Sequence, residues 1–214
     1  MQRSGALSLV VLLCLLVGPL PLLAGTSSPA TYHVHKGDNL SVIAQRFGTT
    51  VKTLKSDNNL RNDVIHIGQA LRVAHPFRGQ NNKRVQWGRP LRHPGPVLRP
   101  FGPYQAGGIL MPRTGTDLAS PIGTSLYSPA IGVVRHSGPM DGFGHILIIE
   151  HPGRYATVLA PCDPASLTVE VGQAILRGEP LGKTGSPPDS GAKPYVHIEL
   201  RRDDKAIAPD RLIK

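Results

Sequence analysis

Nine histidines and two cysteines are the side chains of this 214-residue chain with most to offer a metal ion or a proton transfer. Their spacing limits what they can do. Cys14 lies inside an apolar N-terminal run and Cys162 is the only other cysteine, so the chain beyond that run cannot close an internal disulfide. Cys162 is expected to be a buried apolar filler rather than a reactive thiol. His136, His145 and His151 stand in or beside β-branched runs of the second half. A lone histidine on a strand is more often a hydrogen-bonded structural residue than a ligand, so no metal site is built from these three.

The elements that must position such groups fall into two units behind an export segment. Arg3 precedes an unbroken apolar run, Ala6 to Val17, which Gly18, Pro19 and Pro21 break before Ala24-Gly25. Residues 1–24 read as a secretion signal, with an uncleaved anchor as the alternative, and residues 25–31 as a polar spacer. No cysteine stands at the cleavage point to accept a lipid, so the protein is expected to be exported, periplasmic or envelope-associated, and not an evident lipoprotein. The formal net charge is +10. A small basic exported protein meets nucleic acid, anionic lipid or a wall polymer, and export removes nucleic acid from that set.

Residues 32–75 read as a small α+β unit. Tyr32 to His35 alternates like a strand, and Asp38 or Asn39 is placed to cap a helix. Leu40, Ile43, Ala44 and Phe47 then form one apolar stripe. Gly48 stops that helix, Thr50 caps a second one ending at Asn58-Asn59, and Ala70 to Val73 closes the unit as a strand. Residues 76–86 are basic and proline-containing, with too few apolar groups to pack, and read as a linker. From Trp87 to Lys214 the chain is strand-rich. Gly144 to His151, Tyr155 to Ala160, Ser166 to Val171 and Val196 to Leu200 are β-branched runs punctuated by Asp141-Gly142, Pro152-Gly153 and Arg177-Gly178. The expectation is an all-β, antiparallel domain with one sheet face packed and the other available.

Two resemblances sharpen this. Tyr32-x-Val34-x-x-Gly37-Asp38-x-Leu40-x-x-Ile43-Ala44, Leu54, Asn58 and Ile67-Gly68-Gln69-x-Leu71-x-Val73 closely resemble a LysM module. That resemblance implies a βααβ fold and a shallow groove for glycans containing N-acetylglucosamine. Here the groove would involve Gly37, Asp38, Asn39 and Leu40 with Asp63, Val64, Ile65 and Ile67. Backbone polar groups of two loops can read acetamido groups while apolar side chains take sugar faces.

Residues 87–214 resemble the LytM-type domain of the M23 peptidases through Gly115-x-Asp117-Leu118-Ala119, Gly132-Val133-Val134, Gly142-x-Gly144, Leu181-Gly182-Lys183-Thr184-Gly185 and Val196-His197-Ile198-Glu199-Leu200. Active members of that family hold zinc with a His, an Asp four residues on, and the second His of a His-x-His pair; two further His residues assist the attacking water. By this resemblance Arg113 stands at the first ligand position, Pro161 replaces one assisting His and Tyr195 the other. Asp117 and His197 remain. A guanidinium has no lone pair to donate and stays charged, and a catalytic zinc needs three protein donors with one open position. The resemblance therefore implies a degenerate domain with no metal, no cofactor and no catalytic residue. Arg113, Asp117, Tyr195 and His197 are then left to line a partner groove, where an arginine and a tyrosine make good anchors.

The whole arrangement resembles the NlpD-like activators of peptidoglycan amidases. It implies a non-catalytic regulator that binds peptidoglycan glycan strands and switches on an N-acetylmuramoyl-L-alanine amidase in cell separation or envelope remodelling. The linker is a further candidate contact with an anionic envelope surface. Two alternatives stay open: a zinc endopeptidase cleaving peptidoglycan peptides, and a plain wall-binding scaffold.

Overall fold

The computed structural model describes residues 28–77, 80, 84–189 and 191–213. The expected secretion signal, and Arg78 and Lys83 of the expected linker, lie outside the described residues. Among the described residues no helix is long and apolar enough to cross a membrane.

The N-terminal unit runs β1 (Ala30–His33), α1 (Leu40–Phe47), α2 (Val51–Asp57), β2 (Ala70–Val73). Leu40, Ile43, Ala44 and Phe47 are all buried, as their spacing predicts. Of the two candidate caps, Asn39 takes the role: its Oδ1 accepts from the Val42 N–H at 2.9 Å, a contact worth about 1 kcal/mol. Gly48 ends α1 in the left-handed conformation that costs glycine nothing. Thr50 caps α2 by accepting from the Thr53 N–H at 3.1 Å. β1 and β2 pair antiparallel, with Tyr32 opposite Leu71.

Part of the expected linker packs after all. Phe77 is buried, its N–H donates to the Phe47 carbonyl at 2.7 Å, and its ring lies 5.9 Å from that of Phe47. Gln80 is buried too, its amide donating to the Arg46 carbonyl at 3.2 Å. A core this small leaves Phe47 an uncovered edge, and one aromatic from the following segment is enough to close it.

The second unit runs β3 (Val97–Arg99), β4 (Gly102–Ala106), β5 (Ile109–Arg113), β6 (Thr116–Ala119), β7 (Ser125–Tyr127), β8 (Gly132–Met140), β9 (Gly144–His151), β10 (Tyr155–Ala160), β11 (Gln173–Ile175), β12 (Pro180–Lys183), β13 (Tyr195–Arg202), β14 (Lys205–Ile207) and the short α3 (Asp210–Ile213). The main sheet has the order β2-β1-β11-β8-β9-β10-β13-β6-β3, with β14 on β13; β12-β7 and β4-β5 form two smaller ribbons. Leu118, Leu126, Val134, Leu147, Ile149, Leu159, Val196 and Leu200 belong to the main core, and Trp87 packs against it, joining the chain to this domain where expected.

Three expectations need correcting. Ser166 to Val171 is not a strand. Asp163 caps a 3-10 turn over Pro164–Ser166, and beyond it the Thr168 N–H meets the Leu181 carbonyl without extending into a ladder. The proline and the Asp163 cap win locally over the β-branched residues that follow. The second sheet face is also not free, because Ile146, Ile148, Ala156, Val158 and Ala160 form a separate buried cluster there. Finally, the two units share one sheet. β1 pairs parallel with β11, Thr31 opposite Gln173 and Tyr32 opposite Ala174, and Val133 and Ala174 join the N-terminal core. This gives a small module extra apolar area that its own forty residues cannot supply.

Candidate functional site

β13, β6 and β3 lie side by side, and their register sets His197 opposite Asp117 and Asp117 opposite Arg99. The three side chains form a row of charge. His197 Nδ1 donates to Asp117 Oδ1 at 2.6 Å, and Arg99 Nε lies 2.6 Å from Asp117 Oδ2. The Arg99 guanidinium also lies over the Tyr195 ring, 4.6 Å from its centroid. On the other side, His197 Nε2 is 3.6 Å from Glu199 Oε2, and Glu199 is in turn bonded by Arg201. Phe143 meets the imidazole edge-on at 5.2 Å. Asp117, His197 and Glu199 are each about 95% withdrawn from water, at 4%, 4% and 5% exposure.

Burial alone would keep His197 neutral, but its hydrogen bond to Asp117 and the nearby charges of Asp117 and Glu199 outweigh that and raise its pKa above the ordinary imidazole value. Burial likewise opposes the Glu199 carboxylate, yet the His197 contact and the Arg201 charge hold its pKa below the ordinary range. The Tyr195 phenol is pushed up by burial, with Arg99 acting against that.

Gly115 makes the row possible. A Cβ there would stand 2.5 Å from His197 Cε1 and 2.7 Å from the Ile198 carbonyl oxygen. Gly115→Ala is expected to cost about 2 kcal/mol, the usual penalty for overpacking a closed site. Urea denaturation reads the loss, and the His197 ring signals in an NMR spectrum report whether the imidazole has moved.

Arg113, by contrast, does not join the row. It ends β5 with its guanidinium 4.1 Å from the centroid of Tyr104. Pro161 directly follows Ala160, the residue opposite His197 on β10, so it stands at the rim of the same place. Of the four expected groove residues, then, Asp117, His197 and Tyr195 come together, and Arg113 forms a separate wall. Arg99, Glu199 and Phe143 were not foreseen. Arg99 falls within the second domain but outside its quoted motifs, and only its cross-strand position brings it to Asp117.

This donor set does not fit a catalytic zinc. Both Asp117 oxygens are already engaged, one by an imidazole N–H and one by a guanidinium that repels a dication. By the family resemblance the first donor position carries Arg113, which has no lone pair to give. Among the described residues no group of three or more His, Cys, Asp or Glu stands ready to hold a metal ion.

The remaining histidines have structural partners where the structure gives any. His151 is buried, with Nδ1 2.8 Å from the Ile131 carbonyl oxygen and Nε2 2.9 Å from Thr157 Oγ1; burial pushes its pKa down to about 4. His145 Nε2 meets Ser137 Oγ at 2.9 Å. Cys162 is buried and its thiol is pushed up to about 12, which keeps it protonated.

Several of the expected glycan-groove residues carry structural duties. Asp38 accepts from the Tyr32 hydroxyl at 2.6 Å and the His35 N–H at 2.8 Å, and pairs with Arg46. Asn39 is the helix cap and Leu40 is core. Ile65 packs partly against the module's core. Gly37, Asp63, Val64 and Ile67 remain exposed, Val64 at 60% and Ile67 at 71%.

Comparison with known proteins identifies the two domains. Residues 111–209 match peptidase family M23, and residues 32–74 match the LysM domain. The chain is 26% identical over 212 residues to the uncharacterized lipoprotein YgeR of Escherichia coli K12, covering 88% of this chain and 83% of that one. It is 28% identical over 120 residues to the murein hydrolase activator NlpD of Escherichia coli K12, covering 56% of this chain but only 29% of NlpD. A zinc containing peptidase from Vibrio cholerae shares the fold, with a TM-score of 0.54 at 19% identity over 85% of this chain and 71% of that one. The chain therefore carries a LysM domain at residues 32–74 and a peptidase family M23 domain at residues 111–209.

Proposed function

We propose that the protein is a non-catalytic regulator that holds peptidoglycan through its LysM domain and activates a cell-wall N-acetylmuramoyl-L-alanine amidase through the M23-type cleft. One observation carries this: Arg99 supplies to Asp117 the positive charge that zinc supplies in an active M23 centre. A site neutralised from within has no use for a metal and nothing to activate water. It keeps a shaped cleft, with Asp117, Tyr195 and His197 buried beneath it and Arg113 standing as a partly exposed wall. The similarity to NlpD, whose name records activation of murein hydrolases, supports the same direction. In the LysM domain, glycan contact falls to the backbone around Gly37, Asp38 and Asn39 and to Asp63, Val64 and Ile67, with Leu40 and Ile65 shaping the groove from beneath. The basic residues after Pro76 add contact with an anionic envelope surface.

Dye-labelled sacculi test this. With a co-resident amidase, the protein should raise dye release about tenfold or more, and alone it should release none. Release of peptides by the protein alone would identify an endopeptidase. Sacculus binding with no effect on any amidase would leave a scaffold.

A further inference from the structure

The β4–β5 hairpin carries a surface that the charged row beside it does not use. The two strands pair only with each other, outside the main sheet. β5 leads through Thr114 and Gly115 into Asp117, so the base of the hairpin stands beside the His197 ring. Strand alternation puts Arg113, Met111 and Ile109 on one face, with Tyr104 opposite Met111. Arg113 lies over Tyr104 and, among the described residues, forms no ion pair with a carboxylate. Met111 is 9% exposed but Ile109 is 57% exposed. The face is thus cationic at its inner end and aliphatic at its outer end, ~13 Å away at roughly 3.3 Å per residue. Leu110 stands on the opposite face, across from Gln105.

Charge selects the occupant. Between Asp63 and Asp117 the chain has no acidic residue and eight lysines and arginines, and the hairpin lies within that stretch. An unpaired guanidinium on an aromatic ring favours a carboxylate, which it can grip with two parallel hydrogen bonds. A purely charged wall polymer would leave Ile109 in water, whereas a polypeptide can bring an aliphatic side chain to it.

We propose that this face of the hairpin docks an acidic segment of the partner protein, with a carboxylate on Arg113 and an aliphatic side chain against Ile109. The proposal rests on the cleft being a partner-binding site and names the part of the partner it takes.

The test uses the full mature chain and a co-resident amidase, with binding followed by biolayer interferometry and activation by dye release from sacculi. Ile109→Ser and Arg113→Glu should each weaken binding about tenfold or more and reduce activation in step. Leu110→Ser should stay within about twofold of wild type. Sacculus binding should be unchanged in all three, because the LysM domain is untouched, and circular dichroism melts should match, because both aliphatic positions are exposed. Binding that weakens in this pattern without any activation would support the docking face and remove the activator role. Activation that Ile109→Ser and Arg113→Glu leave intact, or that Leu110→Ser impairs as strongly, would overturn the docking face and leave the activator role standing. A wild-type chain that binds no amidase would overturn both. If the variants instead lose adhesion to phosphatidylglycerol vesicles while the amidase response is unchanged, the face belongs to a membrane and the proposal fails.

Discussion

Asp117→Ala is expected to lower folding stability by about 3 kcal/mol at pH 6, in the range for removing one partner of a buried ion pair. The carboxylate is 4% exposed and lies between two cations, His197 and Arg99. Without it, the imidazolium loses its strongest partner and faces the Arg99 charge, so it must give up its proton or leave the site. The pH dependence has a definite sign. The folded pKa of His197 is raised, so its contribution is fully present below the unfolded value, near pH 6.5, and is lost as pH rises through the raised folded value. The gap between wild type and Asp117→Ala should therefore be widest near pH 6 and should narrow as pH rises through the raised folded value, beyond which only the Arg99 contact remains to be lost. Glu199 does not confuse the comparison. Its pKa is lowered, so its share is present above the ordinary carboxylate value and is lost only as pH falls below it. Urea unfolding of both chains at pH 6 and at a series of higher pH values reads the difference, and a gap that stays constant across the series would mean that His197 adds no proton-linked share to it.

The second large effect comes from His151, on the opposite side of the sheet chemistry. Its pKa is about 4 in the folded protein because burial excludes the charged form, against about 6.5 when unfolded. Stability from this group is intact above pH 6.5 and is lost as pH falls towards 4. The span of two to three pKa units amounts to about 3 kcal/mol. His151→Gln should be less stable at pH 7, because it disturbs the contacts to Ile131 and Thr157. Its stability should then fall less steeply between pH 6.5 and 4 than that of wild type. Parallel curves for the two chains would show that the imidazole protonates in place.

Much of the fold was legible because short-range chemistry and burial agree. Asn39 and Thr50 cap helices whose apolar stripe has one periodicity and one destination, the core of the module. β9 and β10 run from Gly144 to His151 and from Tyr155 to Ala160, the bounds their β-branched runs and flanking turns suggest. Where sequence reasoning failed, the deciding partner was distant. The parallel join of β1 to β11 leaves no periodic mark, since alternation tells which face of Tyr32 is buried but not which strand lies at its edge. Ser166 to Val171 has strand-like residues but shares only the Thr168–Leu181 backbone bond with its neighbour β12, and Pro164 with Asp163 turns the chain first.

The site divides in the same way. Asp117 and His197 were found through the family resemblance, and antiparallel register then places them directly opposite. Arg99 was invisible, because its role depends on an irregular pairing of β3 with β6 that carries it to the far side of Asp117. Arg113 was expected beside Asp117 and His197 and instead lies over Tyr104.

Zinc binding to the metal-free, full-length chain tests the central claim most directly. Calorimetric titration at pH 7, followed by metal analysis after desalting, should give no saturable one-to-one uptake, and the protein should release no peptide from sacculi with zinc present. One tightly held zinc per chain, lost on Asp117→Ala and accompanied by peptide release, would contradict the account: Arg99 would then be a gate that a metal displaces, and the cleft an enzyme.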